Sequence, residues 1–159
     1  MTELNNQRFN HLKIHTQYSI CEGAIKIDNL KDFCKENKIS CLGLSDTSNL
    51  CGALEFAENI SKVGTQPIIG TQIYFKFEDT TGLLPLIALN EKGYKRIIEL
   101  SSRSYLENDA LSDPHLDIKD LFSDPDGVLI LSGTIQGLFG KLFQKGRLEE
   151  ITKIYKSLL

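Results

Sequence analysis

Histidines at positions 11 and 15, with a lysine between them at 13, alternate with Leu12 and Ile14, and that spacing is where chemistry would begin. In an extended chain alternate side chains share a face, and neighbours two apart lie about 6.5–7 Å from each other, so His11, Lys13 and His15 would point together. Two imidazoles on one face suit metal ligation, which needs further His, Asp or Glu from other elements; without them the pair is an ordinary strand surface. Asp46 is one such candidate. The run Leu44-Ser45-Asp46-Thr47-Ser48-Asn49 sets a carboxylate at the end of a short apolar stretch, where the active sites of parallel sheets gather. The same Asp-Thr-Ser-Asn string is also what a helix-capping turn looks like, and the residues alone leave both readings open. Glu22, beside Gly23, is a further carboxylate, either a ligand or a turn residue.

The elements that must position these groups follow from periodicity. Phe9–His15 alternates as a strand. Asp28 or Asn29 can cap a helix running to about Asn37, Cys41–Ser45 reads as a buried strand, and Asn49 can cap a second helix to about Val63, closed by Gly64. Pro67–Phe77 and Leu83–Leu89 are strands joined across the polar turn Glu78–Gly82, which predicts a hairpin or neighbouring strands. Lys92–Leu106 carries Tyr94, Ile97, Ile98, Leu100 and Tyr105 at amphipathic spacing. The polar, proline-terminated stretch Glu107–Pro114 is the one linker-like region. After it come a short helix at Asp117–Phe122, a turn at Asp124–Gly127, a strand at Val128–Leu131, and helices at Ile135–Gln144 and Leu148–Leu159, parted at Gly146. Strands followed by helices argue a mainly parallel sheet covered by helices. The helical pattern runs to Leu159 with no cap after it, which reads as a fragment of something longer.

Composition narrows the classes. A chain of 159 residues fits one domain, 1–159, or part of one; with 41% hydrophobic and 25% charged residues and a formal charge of −3 it advertises no nucleic-acid surface. The basic stretch Lys92–Arg96 is interleaved with acids and reads as a solvated helix face. Cys21, Cys34, Cys41 and Cys51 form no Cys-x-x-Cys pair, so zinc-ribbon and redox spacings are missing and a reduced, cytoplasmic protein is the expectation. Met1–Asn10 is polar, without the apolar run of a signal peptide, and no window approaches a membrane span.

Several colinear motifs then resemble one family. Phe9-Asn10-His11-Leu12-Lys13-Ile14-His15-Thr16-Gln17-Tyr18-Ser19-Ile20-Cys21-Glu22-Gly23-Ala24 resembles the opening of the polymerase and histidinol phosphatase (PHP) domain of bacterial DNA polymerase III alpha subunits. Ser45-Asp46-Thr47-Ser48-Asn49-Leu50-Cys51-Gly52 is similar to that family's Thr-Asp-His-Gly-Asn-Leu-x-Gly, and Pro67-Ile68-Ile69-Gly70 to its Pro-Ile-Ile-Gly. Leu86–Asn90 with Gly93-Tyr94, Leu100–Tyr105 and Gly127–Gly133 fall in the family's order, so the resemblance covers essentially the whole chain.

The resemblance implies a distorted seven-stranded, TIM-like β/α barrel, of which this α/β chain would supply a truncated part, about the first four or five strands. Where the family has metal ligands, it implies substitution at Lys13, Thr47, Gln72 and Leu83, leaving His11, His15, Glu22 and Asp46 as a vestigial set. A cation at Lys13 stands where a Lewis base is needed, and Lys13 pairing with Glu22 or Asp46 would turn the pocket into a salt-bridged polar core. By the same resemblance this region is hydrolytically inert and has no cofactor of its own. Its partners would be a proofreading 3′–5′ exonuclease subunit and other replicative subunits, with DNA and Mg handled only by the full-length polymerase and no membrane involved. The alternative is a phosphoesterase or nuclease keeping Zn or Mn at the reduced site.

Overall fold

The computed structural model describes residues 9–157. The polar reading of the first ten residues therefore falls, for 1–8, outside the described residues, as do Leu158 and Leu159, to which the last helix was expected to run. The described elements in chain order are α1 (Ile27–Asn37), β1 (Cys41–Thr47), α2 (Ala53–Ser61), β2 (Gln66–Phe77), β3 (Thr80–Ala88), α3 (Glu91–Leu106), β4 (Leu116–Asp117), α4 (Ile118–Ser123), β5 (Val128–Ile130), α5 (Leu138–Gln144) and α6 (Leu148–Ser157).

Local chemistry sets most of these bounds. Helix α1 buries Ile27, Leu30 and Cys34, three or four residues apart, and ends where Lys38 turns left-handed and its N–H bonds the Cys34 carbonyl. It starts at Ile27 rather than after a cap at Asp28 or Asn29; Asp28 instead sits in the first turn, where a carboxylate suits the helix dipole. Helix α2 begins three residues later than an Asn49 cap would allow, because Asn49 is committed elsewhere. Its Oδ1 accepts from Cys51 N–H, and its Nδ2 donates to the carbonyls of Tyr18 and Thr47. Helix α3 is capped by Asn90, whose side chain accepts from Gly93 N–H at 2.9 Å. It buries Ile97 and Leu100, while Tyr94, Ile98 and Tyr105 stay exposed.

The expected hairpin is present with a tighter turn: β2 and β3 pair antiparallel from Gly70↔Ile87 to Phe77↔Thr80. The sheet runs β1-β2-β3-β5. Strand β1 lies parallel to β2, and the two-residue β4 also pairs parallel with β2, at Phe75 and Lys76, beyond the last β1 pairing at Gln72. Strand β5 is antiparallel to β3. Strands β1, β2, β4 and β5 thus point one way and β3 alone runs back, a mixed α/β architecture.

Two apolar cores hold the layers. Phe56 and Ile60 of α2 meet Leu42 and Leu44 of β1 and Ile27, Leu30 and Cys34 of α1. Ile73 and Phe75, Leu84 and Leu86, with Ile97, Leu100, Leu138, Leu142 and Ile154, form the second. These cores fasten the C-terminal end of β1 and the middle of β2, which present Asp46, Thr47 and Gln72.

Candidate functional site

The segment expected to be the first strand, Phe9–His15, is only partly one. Ile14 bridges Leu44 and Thr16 bridges Ile25, without forming a continuous ladder. Gly43 N–H donates to His11 O, and Ile14 N–H donates to Gly43 O. The step from 11 to 14 is one residue longer than a regular parallel ladder makes, so the segment bulges at Leu12 and Lys13. Gly43 permits this close approach: a Cβ there would lie 2.6 Å from the Leu12 Cα. The bulge breaks the alternation that would have put His11, Lys13 and His15 on one face. His11 instead lies exposed, its ring edge-on to Phe9 at 4.8 Å.

Asp46 is fully buried and surrounded by donors. Its Oδ1 accepts from Thr16 N–H (2.6 Å) and from Ser19 Oγ (3.0 Å), and its Oδ2 accepts from Thr16 Oγ1 (2.7 Å). Ser19 Oγ in turn accepts from Thr47 N–H at 2.8 Å. The carboxylate therefore clasps the Thr16–Ser19 turn to the end of β1. Neither open reading of Asp46 anticipated this, since it caps no helix: the N-cap position of α2 is Gly52 and no side chain caps it.

Thr47, one residue on, leaves β1 on the opposite face, beside Gln72 in the register. Gln72 Nε2 donates to Thr47 Oγ1 at 2.6 Å, and Thr47 Oγ1 donates to the Glu22 carboxylate. Two of the positions expected to be substituted, Thr47 and Gln72, and the Glu22 carboxylate thus form a hydrogen-bonded chain. Leu83, expected to be a further substituted position, faces Tyr74 across the hairpin. Tyr74 continues the same face of β2; burial first, then Glu22 and Asp113, raise its phenol above the ordinary value.

His15 is half-buried, with Nδ1 3.5 Å from Ser19 Oγ. Burial above all, and then Lys13, push its pKa below 6.5, while Glu22, Asp46 and the Ser45 backbone pull the other way. Lys13 is exposed, and among the described residues it forms no ion pair with Glu22 or Asp46. The expected salt-bridged core is therefore replaced by hydrogen bonds to neutral side chains. The reason is geometric: Asp46 is buried against Thr16 and Ser19, while Lys13 lies exposed at the bulge.

Among the described residues no three His, Cys, Asp or Glu side chains gather as a group that could hold a metal ion. The donor set does not fit a two- or three-metal cluster, because Thr47 and Gln72 bring neutral groups, Asp46 is held in the core by Thr16 and Ser19, and His11 lies exposed against Phe9. Sequence reasoning missed Thr16 and Ser19 and read Asn49 as a helix cap, whereas these three do most of the tethering. Their signal was available in two hydroxyl residues three apart, following a strand-like run, and in the turn-forming Asp-Thr-Ser-Asn string.

With that geometry in place, comparison with known proteins gives three findings. The model of the PHP domain family matches residues 11–159. DNA polymerase III subunit alpha of Caulobacter vibrioides is 34% identical over 94% of this chain, and that of Borreliella burgdorferi is 36% identical over 90%. The chain spans only 14% and 13% of the length of those two proteins. Among solved structures, an amidohydrolase from Chromobacterium violaceum with bound sulfate and no metal superposes with a TM-score of 0.50 at 15% identity, covering 61% of this chain and 33% of that one. That likeness concerns the fold alone. Among the described residues no helix is long and apolar enough to cross a membrane.

Proposed function

The chain belongs to the PHP domain family, and on that premise we propose that it is a PHP region of a bacterial replicative DNA polymerase III alpha subunit, hydrolytically inert and serving as support and as a docking site for a 3′–5′ exonuclease subunit. The identity with alpha subunits along nearly the whole chain supports the placement in DNA replication, in the cytoplasm. One observation carries the inert reading: Gln72, Thr47 and Glu22 hydrogen-bond to one another where a hydrolytic cluster would need free lone pairs. Thr47 and Gln72 bring a hydroxyl and an amide where charged or imidazole donors would serve a metal, and the Glu22 carboxylate is engaged by Thr47. Primer extension, with its magnesium, is assigned to no residue of this chain.

The test has two arms. Elemental analysis of protein purified without added metal should find less than one equivalent of Zn or Mn, and hydrolysis of a chromogenic phosphoester in Mn or Zn should not exceed that of a His15→Ala variant. Stoichiometric metal with His15-dependent hydrolysis would establish the phosphoesterase reading instead. The full-length alpha subunit should comigrate with its exonuclease subunit on size exclusion and lose that comigration when residues 1–159 are deleted. Retained comigration would remove the docking role.

A further inference from the structure

Helix α6 is joined to the rest of the protein by little apolar contact. Of its ten residues, Leu148–Ser157, Ile154 is the one fully buried, and Ile151 packs beside it against the larger core. Leu148 and Tyr155 are exposed. The helix rests mainly on α5, and an open cleft of about 480 Å³ separates it from α4 and the end of β2. Lys153, Ile154 and Ser157 line one wall of that cleft, and Phe77, Ile118 and Phe122 the other.

What fixes the helix is an ionic cluster at its first turn. Arg147, the residue before α6, pairs with Glu78 and Asp79 in the β2–β3 turn and with Glu150 of α6 at 2.5 Å. Lys145 adds Asp79 at 3.2 Å and Thr80 Oγ1 at 2.7 Å. The Arg147 guanidinium also lies over the Phe77 ring, 5.9 Å from its centroid. Between the two cations Gly146 takes φ +72°, a left-handed joint suited to glycine, and the space on its Cβ side is open.

We infer that α6 is a latched flap: it swings at Gly146 as a unit while the sheet stays folded, and the Arg147 cluster sets how often it opens. Elements with the least buried contact open first. One buried residue in α6 against six in α3 puts α6 at that end. Lys145 stays with α5, so opening parts Arg147 from Glu78, Asp79 and Phe77. The Glu78 and Asp79 side chains are 63% and 71% exposed, so salt reaches and screens the latch, whereas the apolar contacts under the sheet carry no charge to screen. Opening uncovers Phe77 and Phe122, and ionic strength thereby controls access to an apolar cleft at the end of β2.

Hydrogen exchange of the full-length protein tests this, read by mass spectrometry on peptides from α6, α3 and β2 and corrected for intrinsic rates. In the parent, the α6 amides should exchange about tenfold faster than those of α3. In ~1 M KCl they should exchange about fivefold faster again than in ~0.05 M, with α3 and β2 unchanged. Arg147→Gln should give the fast α6 rate at both ionic strengths, while Lys153→Gln, on the same helix but outside the cluster, should keep the salt dependence. Amides of α6 exchanging together with those of α3, or an α6 rate indifferent to salt in the parent, would overturn the flap. So would an Arg147→Gln protein in which β2 opens along with α6, because the cluster would then be holding the sheet and not one helix.

Discussion

Asp46→Asn is the substitution that bears most directly on what the buried carboxylate does. In the structure Asp46 accepts from Thr16 N–H, Thr16 Oγ1 and Ser19 Oγ, all buried. Asparagine keeps one oxygen, which can go on accepting from Thr16 N–H and Ser19, and places an amide against Thr16 Oγ1, which can rotate to accept. The variant loses charge assistance rather than contacts. Charged hydrogen bonds are worth about 1.5–3 kcal/mol and neutral ones about 1, so three of them lose about 2–3 kcal/mol together. Asp46→Ala leaves all three donors unpaired, and since they share one site their losses do not add fully; about 4–5 kcal/mol is expected. Against a total stability of about 5–15 kcal/mol, the alanine variant is close to unfolding. Urea denaturation followed by circular dichroism measures both losses, and hydrogen exchange should show the Thr16–Ser19 amides opening before β1. A midpoint for Asp46→Asn matching the parent to within about 0.5 kcal/mol would refute the clasp. So would EDTA lowering the parent's midpoint as much as the substitution does, because Asp46 would then be acting through a metal.

Four shorter predictions accompany it. Phe56 is fully buried between α1, α2 and β1, so Phe56→Ala should lose about 3–5 kcal/mol in the same urea assay. Gly93→Ala should destabilise although alanine favours helices, because its Cβ would meet the Gly127 carbonyl oxygen at 1.8 Å; a raised melting temperature would contradict that contact. Burial and Lys13 lower the His15 pKa, so the unfolded chain takes up the proton first as pH falls through about 6.5. Its contribution is complete above that pH and is lost below it, and His15→Gln should flatten the urea midpoint between pH 7.5 and 5. Asp79 is held at about 2 instead of 3.8 by Lys145 first, then Arg147 and Thr80. Its contribution is present above pH 3.8 and lost as pH falls through about 2, so Asp79→Asn should matter at pH 5 and not at pH 2.

Much of the fold was legible because it is written in local chemistry. The period-3.6 burial of Ile27, Leu30 and Cys34, the Asn90 cap on Gly93 and the Asp117 cap of α4 use residues within a few positions of one another, and the hairpin pairs strands that follow each other directly in the chain. The boundaries that moved did so where a side chain was recruited from far away. Asn49 was drawn to Tyr18 and Thr47 and could not cap α2, and β4 forms only because β2 outruns β1 and leaves Phe75 and Lys76 to pair.

The candidate site divides along the same line. By itself the sequence determined which groups were available: at Lys13, Thr47, Gln72 and Leu83, where the family resemblance led ligands to be expected, it brings no His, Asp or Glu. Only the tertiary structure decided what the remaining groups do. A bulge opposite Gly43 removed His11 from the face of His15, Asp46 turned to Thr16 and Ser19 thirty and twenty-seven residues away, and Glu22 met Thr47 across twenty-five. Alternation fixes which face a side chain leaves from, but a carboxylate is satisfied by whichever donors the folded backbone brings within about 3 Å, and that is set by long-range packing.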